Sequence, residues 1–318
     1  MTTYVSQKTL KNAIGCSGIG LHTGAKVSML IQPAEPDSGI SFKRTDISGG
    51  QAVIKAHWHN VVDSQLCSAV ANKDGVGVQT IEHLMAAFAG LEIDNAMVEI
   101  NGPEIPIMDG SAAPFVFLIE CAGTVEQKAR RRGVKVLKPV TVSGDGCEAT
   151  LLPGDNFSIE FDIAFSSPLV ASQEYYVEFV NGTFKSEIAS ARTFGFEHEV
   201  AAMRASGLLL GGSLDNAVVV SGETVLNDSG LRYGNEFVRH KILDSVGDLY
   251  LAGGPLIGHF HGSRSGHAMN YLLLEALFAD KDAWSLVPMA VSAADTRRGV
   301  DASLIPAQTP IAATAGGL

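Results

Sequence analysis

Phe237-Val-Arg-His-Lys-Ile-Leu-Asp-Ser-Val-Gly-Asp248 is the stretch that sets how this chain must pack. Read as a helix, it places His240, Asp244 and Asp248 four residues apart, on one polar stripe. Val238, Ile242, Val246 and Leu249 form an apolar stripe roughly opposite. One face therefore belongs to a core, and the other carries an imidazole and two carboxylates. A neutral imidazole and a carboxylate one turn apart can reach the same metal ion. Taken alone, the pattern fits a solvated face with a His–Asp pair at least as well.

A second helix is signalled by Gln79-Thr-Ile-Glu-His-Leu-Met-Ala-Ala-Phe-Ala-Gly90. Ile81, Leu84, Met85 and Phe88 follow the i, i+3, i+4, i+7 spacing of a buried face. Thr80 is expected as its N-cap and Gly90 as its stop. Glu82 and His83 fall in the first turn, off that face, where the helix dipole favours an ionised carboxylate. Ala86 and Ala87, one turn further, are expected to leave room for a ligand.

Outward from these helices the chain reads as α+β. Residues 1 to about 60 are strand-rich, with Val27–Ile31 closed by Pro33 and Pro36. Gly18–Gly24 lacks the spacing and context of a dinucleotide fingerprint and reads as a glycine-bearing turn. His22, His57 and His59 have no local partner pattern and read as structural. Ala96–Ile100 is expected as a strand, Ala113–Ala122 as a helix, and the polar, basic Thr124–Gly133 as a domain linker. Phe157–Phe165 alternates with period two, a half-buried strand. Glu197–Val220 reads as a helix–strand insertion richer in apolar residues than a loop needs. Ile257–Phe260 is a further strand, and Ser265-Gly-His267 leads into a helix over 268–279. In each half the helices follow most of the strands, which favours α+β over a doubly wound order.

Composition narrows the class. The 318 residues are 46% hydrophobic and 18% charged, as in a soluble globular protein with ample core. A net charge of −11 argues against a broad nucleic-acid surface. The cysteines, Cys16, Cys67, Cys121 and Cys147, form no C-x-x-C pair, so thiols in a reducing cytosol are expected. No apolar run is long enough for a transmembrane segment, and Met1–Leu10 lacks a signal-peptide pattern. The expectation is a cytoplasmic protein.

His83, His240 and Asp244 together would supply three protein ligands and leave one position of a tetrahedral ion open, the count of a catalytic site. Glu82, next to a ligand, is placed for a general base. Spacing alone does not bring His83 and His240 together.

Five stretches in one order do more. They are Thr80–Asn95, Pro103–Phe115, Ala191–Phe196, Glu236–Asp248 and Ser265–His267. Together they resemble the bacterial UDP-3-O-acyl-N-acetylglucosamine deacetylases, zinc enzymes of lipid A biosynthesis. The resemblance runs from Gly18-Ile-Gly-Leu-His22 to about Asp295. It implies one Zn2+ per chain on His83, His240 and Asp244, with Glu82 as general base. It also implies His267 as general acid held by Asp248, and Thr193 as a hydroxyl donor to the oxyanion. Lys241, Phe194, Arg264, Phe165 and Glu199 take substrate-binding positions. Ala164 and Glu199 depart from the family pattern, which has an acidic residue at the first position and Asp at the second.

The implied substrate is a UDP-sugar with a fatty acyl chain, with no nucleic-acid partner and the chain acting as a monomer. The implied fold is a duplication of two α+β domains, each a mixed sheet on two helices, with the helix layers facing each other. Residues 1–126 and 127–295 would be those domains. About 197–220 would be an insertion forming the acyl passage, and 296–318 a disordered tail. Two rivals remain at this stage: a zinc amidohydrolase on another acylated sugar, and a non-catalytic nucleotide-sugar or lipid binder. Glu82 and His267 weigh against the second, because binding alone requires neither.

Overall fold

A computed structural model of the chain describes residues 4–48, 52–62, 66–180 and 182–290. The tail expected to be disordered, 296–318, lies outside the described residues. Five α-helices are described: α1 (Glu82–Gly90), α2 (Ala113–Ala122), α3 (Glu197–Ala205), α4 (Glu236–Leu249) and α5 (His267–Ala279). The fold is α+β, with helices packed between two large mixed sheets.

The first sheet has five strands in the spatial order Ile14–Ile19, Lys26–Pro33, Ala96–Ile100, Ile40–Arg44 and Val53–Lys55. All neighbours are antiparallel except Ile40–Arg44, which runs parallel to Ala96–Ile100. Lys26–Pro33 alternates exposed and buried residues and places Val27, Met29 and Ile31 in the core. The second sheet has seven strands centred on Leu256–Ser263. That strand is antiparallel to Cys147–Leu152 and parallel to Phe157–Ala164 and Arg132–Val136.

α2 lies against Ile14–Ile19, and α5 against Val140–Gly144 and Cys147–Leu152. α4 lies against Phe157–Ala164 and Ser172–Glu178, and α1 and α4 form the tightest helix–helix contact. That contact explains Gly247. A Cβ on Gly247 would sit 2.0 Å from the Glu82 carbonyl oxygen and 3.1 Å from the Ala86 nitrogen. The room beside Ala86, expected for a ligand, is therefore taken by α4, and both Ala86 and Ala87 are fully buried. α4 is buried on its polar stripe as well as its apolar one.

Two further expectations change. Thr80 is not the N-cap of α1; Ile81 is, and it makes no side-chain cap. Thr80 instead has a left-handed φ of 58°, and its hydroxyl donates to the buried Glu104 at 3.0 Å. The stretch Thr124–Gly133 is largely extended strand. Thr124–Arg130 pairs with Ser6–Leu10, and Arg132–Val136 enters the second sheet. Between them Arg131 is buried and ion-paired to Glu92 and Asp94.

Candidate active site and metal centre

The first turn of α1 and the middle of α4 meet at His83, His240 and Asp244, all buried, with one ligand atom of each within 4.8 Å of the others. Asp244 Oδ1 lies 3.3 Å from His240 Nε2 and 3.6 Å from His83 Nε2. Ligands bound at the usual zinc distances stand about 3.3 Å apart on a tetrahedron, so these separations suit one small cation. Asp244 Oδ1 is buried and has no hydrogen-bond partner, a costly state for a carboxylate oxygen unless a cation meets it. The donor set of two imidazoles and a carboxylate suits zinc chemistry.

The surroundings prepare these groups. His240 Nδ1–H donates to the Ala191 carbonyl at 3.0 Å, which turns the Nε2 lone pair toward Asp244. Burial, partly offset by Asp244, pushes His240 down to about 4, so it is neutral and able to ligate at neutral pH. Burial would raise Asp244, but His240 and Lys241 outweigh it and hold the carboxyl well below the usual range. Lys241 Nζ donates to Asp244 Oδ2 at 3.1 Å.

Glu82 and His267 flank this centre. His267 Nε2 is 4.0 Å from Glu82 Oε1 and 4.0 Å from Asp244 Oδ2. His267 Nδ1–H donates to Asp248 Oδ2 at 2.8 Å, and Asn270 donates to the same oxygen at 2.9 Å. Burial alone would lower His267, but the Asp248 carboxylate, with Glu82 and Asp244, pushes it up to about 9. It is therefore a proton donor at neutral pH. Burial raises the Glu82 carboxyl, with His267 and His83 opposing.

The match to known proteins follows this geometry. A family model for UDP-3-O-acyl N-acetylglycosamine deacetylase (LpxC) matches residues 7–279. The UDP-3-O-acyl-N-acetylglucosamine deacetylase of Acidithiobacillus ferrooxidans is 52% identical over 289 residues, spanning 90% of this chain and 94% of the relative. That of Neisseria gonorrhoeae is 47% identical, also over 289 residues, with the same coverage of 90% and 94%. That of Chromohalobacter salexigens is 48% identical over 285 residues, spanning 89% and 93%. This chain belongs to the UDP-3-O-acyl-N-acetylglucosamine deacetylase family.

The other residues named from the family resemblance have the following surroundings. Thr193 follows Ala191, the His240 acceptor, by two residues. Its backbone is pinned by Thr193 N–H to Gly110 O and Val218 N–H to Thr193 O, each 2.8 Å. The Phe194 ring is 6.5 Å from His240 and 4.9 Å from Phe237, and Phe165 meets it edge-on at 5.6 Å. Phe165 is 39% exposed, the outer end of this aromatic row. Arg264, exposed and with a φ of 49°, closes the Leu256–Ser263 strand at a shallow hollow with Ser263 and His261. Glu199 sits in the first turn of α3, its carboxylate 4.0 Å from His198.

Ser68, which no sequence signal singled out, joins Glu82 to Asp248. Its backbone N–H donates to Glu82 Oε2 at 3.0 Å, and its hydroxyl donates to Asp248 Oδ1 at 2.5 Å. A lone serine between strands carries no pattern that signals this. Asn270 was also missed, although its place three residues after His267 on one helix face was a usable clue. His22, read as structural, is buried near His267 with neither ring nitrogen hydrogen-bonded. Burial lowers it; Glu104 opposes and the His267 charge adds to the effect.

Proposed function

We propose that this chain hydrolyses the N-acetyl group of UDP-3-O-(3-hydroxyacyl)-N-acetylglucosamine, releasing acetate, as a zinc-dependent deacetylase of lipid A biosynthesis. The observation that carries the reading is the convergence of His83, His240 and Asp244 between Glu82 and the raised imidazole of His267.

A zinc ion held by those three side chains, one per chain, would acidify water and polarise the amide carbonyl. Glu82 accepts the proton that the water gives up as its oxygen attacks the carbonyl carbon. Its carboxylate is oriented by the Ser68 N–H, so little ordering remains at the moment of reaction. Thr193 is the side chain assigned to the developing oxyanion, and Lys241, whose ammonium donates to Asp244 Oδ2, is assigned to substrate binding. His267 then donates its Nε2 proton to the sugar nitrogen as the C–N bond breaks, and Asp248 stabilises the imidazolium until that transfer. The products are acetate and the free amine.

Substrate recognition is assigned to the periphery. Phe194 and Phe165 offer an aromatic row for the sugar and base, and Arg264 a cation for the diphosphate. The 197–220 segment offers the acyl chain an apolar wall. Leu210 and Leu214 are 53% and 49% exposed there, and Leu210 N–H is bonded to the His22 carbonyl near the centre. We assign the two halves of the chain as the domains between which the site forms, with the Thr124–Arg130 strand kept in the first because it pairs with Ser6–Leu10, and the cytoplasm as its compartment.

The test is acetate release from the UDP-sugar substrate beside release from simple N-acetyl amides. Turnover of the UDP-sugar alone supports the assignment. Equal turnover of both would make the chain a general amidohydrolase, and none with zinc bound would make it a binder.

A further inference from the structure

Both tryptophans of the chain, Trp58 and Trp284, line one cavity of about 650 Å3. Its volume lies within the range of about 300–1,000 Å3 usual for small-molecule sites. None of the residues assigned to catalysis lines the cavity, although Met85, two residues after His83 on α1, reaches it. α5 carries His267 at its first residue and Phe278, a wall residue, eleven residues later, about 16 Å along the axis.

The inner wall is apolar and rigid. Trp58 stacks on Phe278 with ring centroids 5.0 Å apart and planes within 2°. Trp284 meets Phe278 edge-on at 5.0 Å, and Leu286 beside it is 51% exposed. The polar groups of the lining are unevenly satisfied. Its acids are held by the protein: Asp94 by an ion pair with Arg131 and the Lys8 N–H, and Asp37, which keeps its charge, by a hydrogen bond from the Gln7 amide. Its cations are not: Lys55 and Arg132 are exposed and make no ion pair among the described residues.

Two imidazoles add hydrogen-bonding groups beside these cations. His57 Nδ1 accepts from the His59 N–H at 3.4 Å and faces His59 Nδ1 at 3.1 Å. His57 Nδ1 is thus the acceptor, and its proton is on Nε2, an unused donor. Burial, then the charges of His59 and Lys55, hold His57 below its ordinary value, as expected where cations crowd one another. In a chain of net charge −11, a patch of unneutralised donors over an aromatic pit selects for negative charge joined to an apolar body.

We propose that this cavity is a second binding site, for a single-chain aliphatic anion. The charged head lies against Lys55, Arg132 and the His57 Nε2–H, and the chain lies against Trp58, Phe278 and Trp284. The site is separate from the one assigned to catalysis and does not depend on that assignment.

Because both tryptophans face this cavity, intrinsic fluorescence of the full-length, zinc-loaded protein reports on it. Titration with dodecanoate below its micelle concentration is expected to give a saturable change. The double variant Lys55→Glu, Arg132→Glu should raise the apparent Kd by about tenfold or more, with acetate release unchanged. Dodecanol, which has the tail without the charge, should bind more weakly by a similar factor. No saturable change with dodecanoate overturns the proposal. So does unchanged dodecanoate affinity in the double variant, the result expected if the anion enters the acyl passage instead. Dodecanol binding as tightly as dodecanoate overturns it too.

Discussion

His267 Nε2 stands 4.0 Å from Glu82 Oε1, too far for a hydrogen bond and close enough for both to reach the same bound group. Each partner is held from behind: Glu82 by the Ser68 N–H at 3.0 Å, His267 by Asp248 at 2.8 Å. The gap is therefore set by the scaffold. The proposed reaction uses this pair as proton acceptor and proton donor.

Glu82→Gln and His267→Ala should each lower kcat by about 10²–10⁴-fold, the usual cost of a lost acid–base group. Both should keep the zinc content of the parent, because neither side chain is among the converging ligands. Acetate release and metal analysis on the same samples check this. Parental turnover in either variant removes that residue from the mechanism.

The pH profile should carry the mark of His267. Its imidazolium is held up to about 9, above the ordinary 6.5, so the donating form is present at neutral pH and is lost as pH rises. The contact with Asp248 likewise contributes stability that is complete below the ordinary value and disappears as pH climbs through the folded one. A cation on Asp244 neutralises one of the carboxylates that raise His267 and brings the limb down. The activity of the parent should therefore fall on an alkaline limb at or below pH 9, and His267→Ala should lack that limb. An identical limb in the variant would assign it elsewhere.

Ser68→Ala removes the hydroxyl that donates to Asp248 and leaves the backbone N–H to Glu82. By analogy with residues that hydrogen-bond to metal ligands, the loss should be about 10–100-fold, here in kcat with KM little changed. Ser68→Thr, which retains a hydroxyl, should recover part of it. A loss confined to KM would instead place Ser68 in substrate binding.

Gly247→Ala tests the helix contact on which the site depends. The added carbon would sit 2.0 Å from the Glu82 carbonyl, and backbone cannot yield as a flexible side chain does. Overpacking of this kind costs about 1–3 kcal/mol, so thermal unfolding should move to lower temperature. Displacing Glu82 by about 1 Å can cost roughly 10²-fold in rate. An unchanged melting temperature and rate would show that α1 and α4 do not press on each other there.

Legibility from sequence followed the range of the interactions. The α4 stripe was readable because His240, Asp244 and Asp248 recur every four residues on one helix. The bounds of α2 were readable because an apolar run ends at Gly123, whose φ of 70° suits glycine. Thr80 misled because its hydroxyl serves Glu104, 24 residues away, and not its own helix. Thr124–Arg130 hid its strand because its outer face is solvated and its partner, Ser6–Leu10, lies at the other end of that half. The meeting of His83 with His240 has no local signature at all. It depends on Gly247 letting two helices close, and the family resemblance supplied what periodicity could not.

Metal dependence tests the central claim most directly. Protein stripped by a chelator should release no acetate from UDP-3-O-acyl-N-acetylglucosamine. About one equivalent of zinc should restore it, while His240→Ala should neither hold the ion nor regain activity. Full acetate release by metal-free protein, or full recovery by the His240 variant, would contradict a reaction centred on His83, His240 and Asp244.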